Sequence, residues 1–298
     1  MSVLMDLHLH THETVDAPSS TVEAMCQRAV DKGVREIAFT NHLVLGNERF
    51  TIAQEAFRRH VEDIQAAEEH FPGLTIRLGL EVDYFADKQS ELQATLAEYQ
   101  RLTARPMDFI MGSIHHLWGE FYTTHQIRDT FYARHSPEEL YPAYFELLAD
   151  AISSGLFQVI AHPDCIKKGA KGISQPYPWD AYRAYAERAI DLLVSTGVAV
   201  EINTRGLQHA CAEMYPSEPF LATYVASCRA AGRAPRVTLG SDAHNPASFG
   251  FALEEGAAFA RRLGIDRLCT FERGHLLHVP LDDETPNERI CRDTLATG

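Results

Sequence analysis

The run Asp6-Leu7-His8-Leu9-His10 decides how the rest of the chain is read. With the apolar residues before it, it reads as a buried strand over residues 3–9 that closes on two histidines. Residues i and i+2 of a strand point the same way, so His8 and His10 aim together off the strand end. Six further apolar runs, at 36–40, 74–82, 108–114, 157–161, 198–202 and 236–239, read the same way. Each closes on groups of the same kind: Asn41 and His42, Glu81 and Asp83, His115 and His116, His162 and Asp164, Glu201 and Asn203, Asp242 and His244.

Between these runs lie stretches with helical periodicity, at 21–32, 53–70, 90–102, 137–154, 179–195, 220–231 and 246–263. Their ends carry the expected punctuation. Ser136-Pro137-Glu138-Glu139 combines a cap, a first-turn proline and two acids at the positive end of the helix. Gly33, Gly155, Gly197 and Gly232 follow helix ends. Seven apolar strands alternating with seven helices argue for a parallel sheet covered on both faces, as in an α/β barrel. In such a barrel chemistry sits at the C-terminal strand ends, where the histidines and acids fall. No Pro/Gly/Ser linker or charge block interrupts the pattern, so one domain is expected over 1–298, with a short tail from about residue 275.

Composition narrows the function. The 298 residues carry a formal charge of −14, which argues against a protein that coats nucleic acid. No apolar run approaches the ~18 residues that cross a membrane, and the start lacks the pattern of a signal peptide. The six cysteines are scattered without a CxxC pair, as expected of reduced thiols in a cytoplasmic protein.

Imidazole and carboxylate donors together suit Zn, Mn or Fe. One histidine at a strand end is commonly structural, but seven such strand ends point to a polynuclear metal site. Asp6, Asp83 and Asp164 either orient ligand histidines or cap strand ends. No role is expected for His60 and His70, read as lying on a polar helix face, for His125 and His135 in a polar loop, or for His275 and His278 in the tail. His12 continues the alternation of His8 and His10 but has left the strand.

The motifs Asp6-Leu7-His8-Leu9-His10-Thr11, Phe39-Thr40-Asn41-His42, Gly79-Leu80-Glu81, Gly112-Ser113-Ile114-His115, Ala161-His162-Pro163-Asp164 and Gly240-Ser241-Asp242-Ala243-His244 together resemble the polymerase-and-histidinol-phosphatase (PHP) superfamily. The stretch from Gly155 to Lys168, Glu201-Ile202-Asn203-Thr204 and Val279-Pro280-Leu281 are similar to its monofunctional histidinol-phosphate phosphatase branch. The resemblance implies a distorted seven-stranded (β/α) TIM-like barrel holding two to three divalent ions (Zn, Mn or Fe). It places one ion on His8, His10, Glu81 and Asp242, and a second on Glu81, His115 and His162. The third falls to His42, His244 and Asp16. Asp16 stands where the family often has histidine, and Asn41 where aspartate commonly precedes the histidine.

The implied reaction is hydrolysis of L-histidinol phosphate to L-histidinol and phosphate by a metal-bridging hydroxide, with Asp242, Glu81 and His244 as the catalytic set. Asp242 is also placed to move protons. Arg205, Lys167, Lys168 and Asn203 are candidates for holding the phosphate, since the family has an arginine after the sixth strand for that purpose. Glu201, His116, Trp118 and Tyr122 are unranked candidates for the rest of the substrate. Segment 121–135 is expected as a loop over the mouth. The alternatives are a PHP phosphoesterase acting on another small ester or a nucleotide, and a non-catalytic metal-binding protein.

Overall fold

The computed structural model describes residues 5–169 and 178–281. The first two residues of the expected strand 3–9, Cys291 and the tail beyond 281 lie outside them. The barrel strands are β1 (Met5–Leu9), β2 (Glu36–Phe39), β3 (His42–Leu43), β4 (Thr75–Asp83), β5 (Phe109–Ser113), β6 (Val159–Ile160), β7 (Ala199–Asn203) and β8 (Val237–Gly240). All pairings among them are parallel, in the order β1-β2-β4-β5-β6-β7-β8. The short β3 continues β2: β2 pairs with β4 from Glu36–Thr75 to Phe39–Leu78, and β3 resumes the same register at His42–Glu81. The sheet curls until β1 meets β8, where Leu9 bridges Ala243 and the His10 amide donates to the Ala243 carbonyl at 3.0 Å. The result is the expected distorted seven-stranded barrel, with strands buried along nearly their whole length because helices cover the outer face.

The helices are α1 (Val22–Lys32), α2 (Gln54–His70), α3 (Gln89–Arg101), α4 (His125–Arg134), α5 (Pro137–Ser153), α6 (Trp179–Thr196), α7 (Glu218–Ala230) and α8 (Leu253–Arg262). Thr21 caps α1 by accepting from the Ala24 amide at 3.1 Å, and Gly33 ends it in the left-handed conformation at φ 69°. At α5 the Ser136 amide donates to Glu139 Oε2 at 3.0 Å, the return half of a capping box.

Three expectations are corrected. Residues 121–135 are not a loop, because 125–134 form α4, held by the buried Phe131 and by Tyr132 donating to the Ile166 carbonyl at 2.7 Å. The seventh helix begins at Leu253, not at 246. Asn245 instead holds a turn, its Oδ1 accepting from the Ser248 amide at 2.9 Å, and Ala252 is left-handed at φ 51°. The stretch expected to begin a tail is β10 (His275–Pro280), paired antiparallel with β9 (Arg267–Glu272). This hairpin closes the barrel floor at the strand starts. Phe271 packs on Phe109 with centroids 5.6 Å apart, and Asp108 accepts from the amides of Arg273 and Gly274, each at 2.9 Å.

Packing around β5 leaves no spare room. A Cβ added at Gly112 would stand 2.5 Å from the buried Phe157 ring. Gly112→Ala is expected to cost about 1–3 kcal/mol, as overpacked cores do, read as a lowered midpoint in denaturant unfolding. An unchanged midpoint would show that the Phe157 ring has room to move.

Candidate metal centre

Glu81, near the end of β4 and 1% exposed, is the centre of the site. Its Oε2 lies 2.9 Å from His42 Nδ1, 3.2 Å from His8 Nε2 and 3.5 Å from His10 Nε2. Its Oε1 lies 2.8 Å from His162 Nε2 and 3.5 Å from His115 Nε2. Asp242 Oδ1 adds contacts of 3.4 Å to His10 Nε2 and 3.3 Å to His244 Nδ1. Asp16 Oδ2 stands between His42 Nε2 at 3.2 Å and His244 Nε2 at 3.3 Å. All nine side chains expected as ligands, Asp16 included, therefore fall in one cluster.

The cluster is built from below. His8 donates from Nδ1 to Glu201 Oε1 at 2.7 Å, and His115 from Nδ1 to Asp83 Oδ1 at 2.7 Å. The other Glu201 oxygen accepts from the His162 amide at 2.8 Å and from Asn203 Nδ2 at 3.2 Å. Asp6 accepts from the Ser241 amide at 2.8 Å and from its hydroxyl, fixing the loop that carries Asp242 and His244. Burial pushes the Asp6 carboxyl up to about 6 against those bonds. Two ligand-type residues sit in left-handed backbone, His162 at φ 30° and Asp242 at φ 51°, a strain of about 1–3 kcal/mol each that the surrounding bonds must hold.

The donor set fits divalent ions. With Nδ1 of His8 and His115 committed as donors, their Nε2 lone pairs face inward. There they meet His10 Nε2 at 3.1 Å and His162 Nε2 at 3.2 Å. Nitrogens this close to one another and to carboxylate oxygens need protons or cations between them, and a divalent ion can serve several at once. A carboxylate behind a ligand histidine is the usual support of a metal-bound imidazole. Three overlapping groups have ligand atoms within 4.8 Å of one another: His8, His10 and Asp242; His42, Glu81 and His115; His10, His42 and His244.

Charge is divided unevenly in the cluster. Burial lowers His8, but Glu201, Glu81 and Asp242 outweigh it and hold its imidazole well above the ordinary value. His42 behaves alike, pushed up to about 10 by Glu81 and Asp16 against its burial. His10 is driven well below the ordinary value by burial and by His244 and His42. Burial would raise Glu81, but His42, His8 and His115 keep it well below the carboxylate range. Asp242 is held down, against its burial, by Arg205 and His8.

The four residues expected at the phosphate separate. Arg205 and Lys168 line the cavity over the cluster, about 370 Å³ in volume, the size of a small-molecule site. The Arg205 guanidinium also donates to the Asp242 carbonyl. Lys167 does not reach the cavity. Its ammonium is buried against Asp164 Oδ2 at 3.0 Å, Glu213 Oε2 at 3.1 Å and the Met214 carbonyl at 2.6 Å. Asn203 is fully buried, with its amide turned to Glu201 and Asp242. Asp164 is thus a partner of Lys167 and of the Ser217 amide, whereas Asp83 orients a histidine.

Other expectations change as well. Glu201 supports His8 and does not line the cavity, and Tyr122 is buried with its hydroxyl on the Ile114 carbonyl. Trp118 is 56% exposed beside His135. His60 is buried, edge-on to Phe39, and burial pulls it down to about 3. Asn41 is turned to Thr11, accepting from its amide and donating to its hydroxyl, each at 2.8 Å, which fixes the chain as it leaves His10. Phe50 and Phe121, both lining the cavity, drew no notice in the sequence because neither sits at a strand end.

The PHP domain model matches residues 6–205, and the chain belongs to that family. It is 31% identical to a probable histidinol-phosphatase of Deinococcus radiodurans over 281 residues, covering 91% of this chain and 97% of the relative. It is 26% identical to a histidinol-phosphatase of Bacillus subtilis, covering 84% and 96%. Its fold matches a histidinol phosphate phosphatase of Lactococcus lactis, solved with zinc, L-histidinol and phosphate, at a TM-score of 0.74 and 21% identity. That match covers 90% of this chain and 97% of the other.

Two outcomes follow for metal binding. Glu201→Gln is expected to weaken it by about 10–100-fold, read by competition with a chelating dye. Because His8 and His42 hold protons above their ordinary range in the metal-free chain, an ion must displace them. Affinity should therefore rise with pH between 6 and 8, by about tenfold per unit for each proton displaced. A pH-independent affinity would contradict the charge distribution described here.

Proposed function

We propose that this chain, acting as a single domain, is a metal-dependent phosphatase that hydrolyses L-histidinol phosphate to L-histidinol and phosphate. One observation carries the reading: eight ligand-type side chains gather around Glu81 beneath a cavity that also presents Arg205 and Lys168. The names of the relatives in Deinococcus radiodurans and Bacillus subtilis support that substrate. We assign two to three ions of the Zn, Mn or Fe type. His8, His10, Glu81 and Asp242 would hold the first, Glu81, His115 and His162 the second, and Asp16, His42 and His244 the third. The separation of Asp16 from the rest, on the far side of His42 and His244, supports a third position. The thiols of Cys26, Cys165, Cys211 and Cys228 suit a reducing compartment, and we place the enzyme in the cytoplasm.

Bound ions would supply Lewis acidity toward the phosphoryl oxygens and lower the pKa of water from about 16 toward 7. The side chains do the rest. Arg205 forks two oxygens of the ester, and Lys168, its ammonium lowered by burial, neutralises a third. Asp242 stays ionised under Arg205 and His8, so its carboxylate accepts the proton of the attacking water. Asn203 fixes the direction of that carboxylate, with Nδ2 3.5 Å from Asp242 Oδ2. Glu81 keeps five imidazoles in register, and His244 holds the far side with Asp16.

The test is phosphate release from L-histidinol phosphate by protein loaded with Mn, Zn or Fe, against a chelated control. Turnover of about 1 per second or more, lost on chelation, is expected. Absent turnover with ions bound would move the assignment to another phosphate ester. Within the active enzyme, Asp242→Asn should lower kcat by about 10²–10⁴-fold, and Arg205→Ala and Lys168→Met should raise KM. Lys167→Met should instead lower the unfolding midpoint, since it strands Asp164 and Glu213. A Lys167→Met enzyme of full stability and raised KM would reverse the roles given to the two lysines.

A further inference from the structure

Cations reach the cavity over the metal cluster from two sides. Arg205 stands just past β7 and Lys168 beyond β6, whereas Arg49 lies in the chain after β3. The short β3 continues β2, and between β2 and β7 the barrel has β1 and β8 one way and β4, β5 and β6 the other. Arg49 and Arg205 therefore rise from opposite parts of the rim. They also differ in what already holds them. The Arg205 guanidinium is engaged with Asp242, through the backbone carbonyl and through Oδ1 at 3.5 Å. Arg49 is exposed, and among the described residues no carboxylate lies within ion-pair distance of it. Its contact is the Phe50 ring, 5.8 Å from Cζ to the centroid. A guanidinium laid against a ring face keeps its N–H donors in its own plane, free for an anion.

The loop that carries Arg49 is tied to the cluster. It leaves the barrel at His42 and returns where the Ile52 amide donates to the His42 carbonyl at 2.9 Å. Within it the Thr51 hydroxyl accepts from the Val44 amide at 2.9 Å and donates to the Val44 carbonyl at 2.8 Å. The Asn47 carbonyl takes the amides of Phe50 and Thr51, each at 3.2 Å. A side chain on so short and closed a loop keeps its place relative to His42, and so to the ions that His42 would hold.

We propose that Arg49 is a further substrate-binding residue, whose guanidinium holds the phosphate of the ester from the side of the mouth across from Arg205; the inference rests on the phosphatase reading of this site. Charge decides which part of the substrate it meets. L-histidinol phosphate carries an ammonium, which a guanidinium repels, and a phosphate, which it attracts. Phosphate oxygens accept several hydrogen bonds each, so a third cation adds to Arg205 and Lys168 without displacing them. The carboxylates lining the cavity set a field against a dianion, and an unpaired cation at the rim offsets that field where the ester enters.

The test uses the metal-loaded enzyme and two readouts: the kinetics of L-histidinol phosphate hydrolysis, and the Kd of inorganic phosphate titrated calorimetrically. At 0.1 M KCl, Arg49→Met and Arg49→Gln should each raise KM and the phosphate Kd about fivefold, with kcat within about twofold of wild type and metal content unchanged. Arg49→Lys, which keeps the charge, should stay within about twofold in both. At 1 M KCl the gap between wild type and the neutral variants should close to under about twofold, because the screening length falls from about 10 Å to about 3 Å. Neutral variants that bind both ligands within about 1.5-fold of wild type at 0.1 M KCl overturn the assignment and leave Arg49 a solvated side chain. A loss as large in Arg49→Lys as in Arg49→Met overturns it too, and makes the residue a prop for Phe50. Wild-type protein that hydrolyses another phosphate ester in place of L-histidinol phosphate overturns the substrate named above, and the phosphate titration then decides on Arg49 alone.

Discussion

Burying an ionised carboxylate as deeply as Glu81 costs several kcal/mol unless its oxygens are paired, and here five imidazoles pair them. Those imidazoles come from β1, β3 and the chain just past β5 and β6, strands that lie apart in sequence. Only a sheet curled around β4 brings their ends within reach of one side chain. The barrel and the cluster are therefore a single constraint. The five rings cannot all be protonated, since burial and the neighbouring His244 and His42 force His10 down while Glu81 and Asp16 hold His42 up. Dications satisfy such a set better than protons, because one ion serves several lone pairs without placing a hydrogen between two of them.

What holds the cluster is a second layer whose members look alike in sequence and act differently. Glu201 and Asp83 take the outward N–H of a histidine and so turn the other ring nitrogen inward. Asp6 takes backbone and hydroxyl protons and fixes a loop. Asp164 supports no histidine; it neutralises Lys167 and accepts from the Ser217 amide. The tight turn Cys165–Lys168 sends adjacent lysines to different environments, one into a buried ion pair and the other to the cavity wall. In each case the partner, not the residue type, decides the role.

The barrel was legible because burial leaves a period in the sequence: over the described chain the seven apolar runs match every barrel strand but the short β3 to within two residues at either end. Eight of the nine candidate ligands were legible for the same reason, since strand ends in a barrel face one mouth; Asp16, in the chain between β1 and α1, was legible only through the family resemblance. Direction beyond a strand end was not. Nothing in Lys167-Lys168 tells which ammonium meets Asp164, because that depends on a turn and on Glu213, 46 residues away. The helix α4 was missed because its sequence carries little apolar periodicity, and its place is fixed by Phe131 and Tyr132 packing against other elements. The β9–β10 hairpin was missed at β9, where four consecutive buried residues break the alternation expected of a hairpin strand. Phe50 and Phe121 belong to loops, where periodicity carries no information.

The acidic balance of the chain now has a local meaning. Asp16, Glu81, Asp83 and Asp242 line the cavity against Arg49, Lys168 and Arg205, so carboxylates outnumber fixed cations there. Such a mouth repels a phosphate ester dianion, and the net charge of −14 adds to the repulsion at low ionic strength. Divalent ions bound at the cluster would reverse the sign there while leaving the outer surface acidic. Affinity for the phosphate would thereby be tied to metal loading. The phosphate end of the site would thus be completed by ions for which three carboxylates and six imidazoles are the candidate ligands.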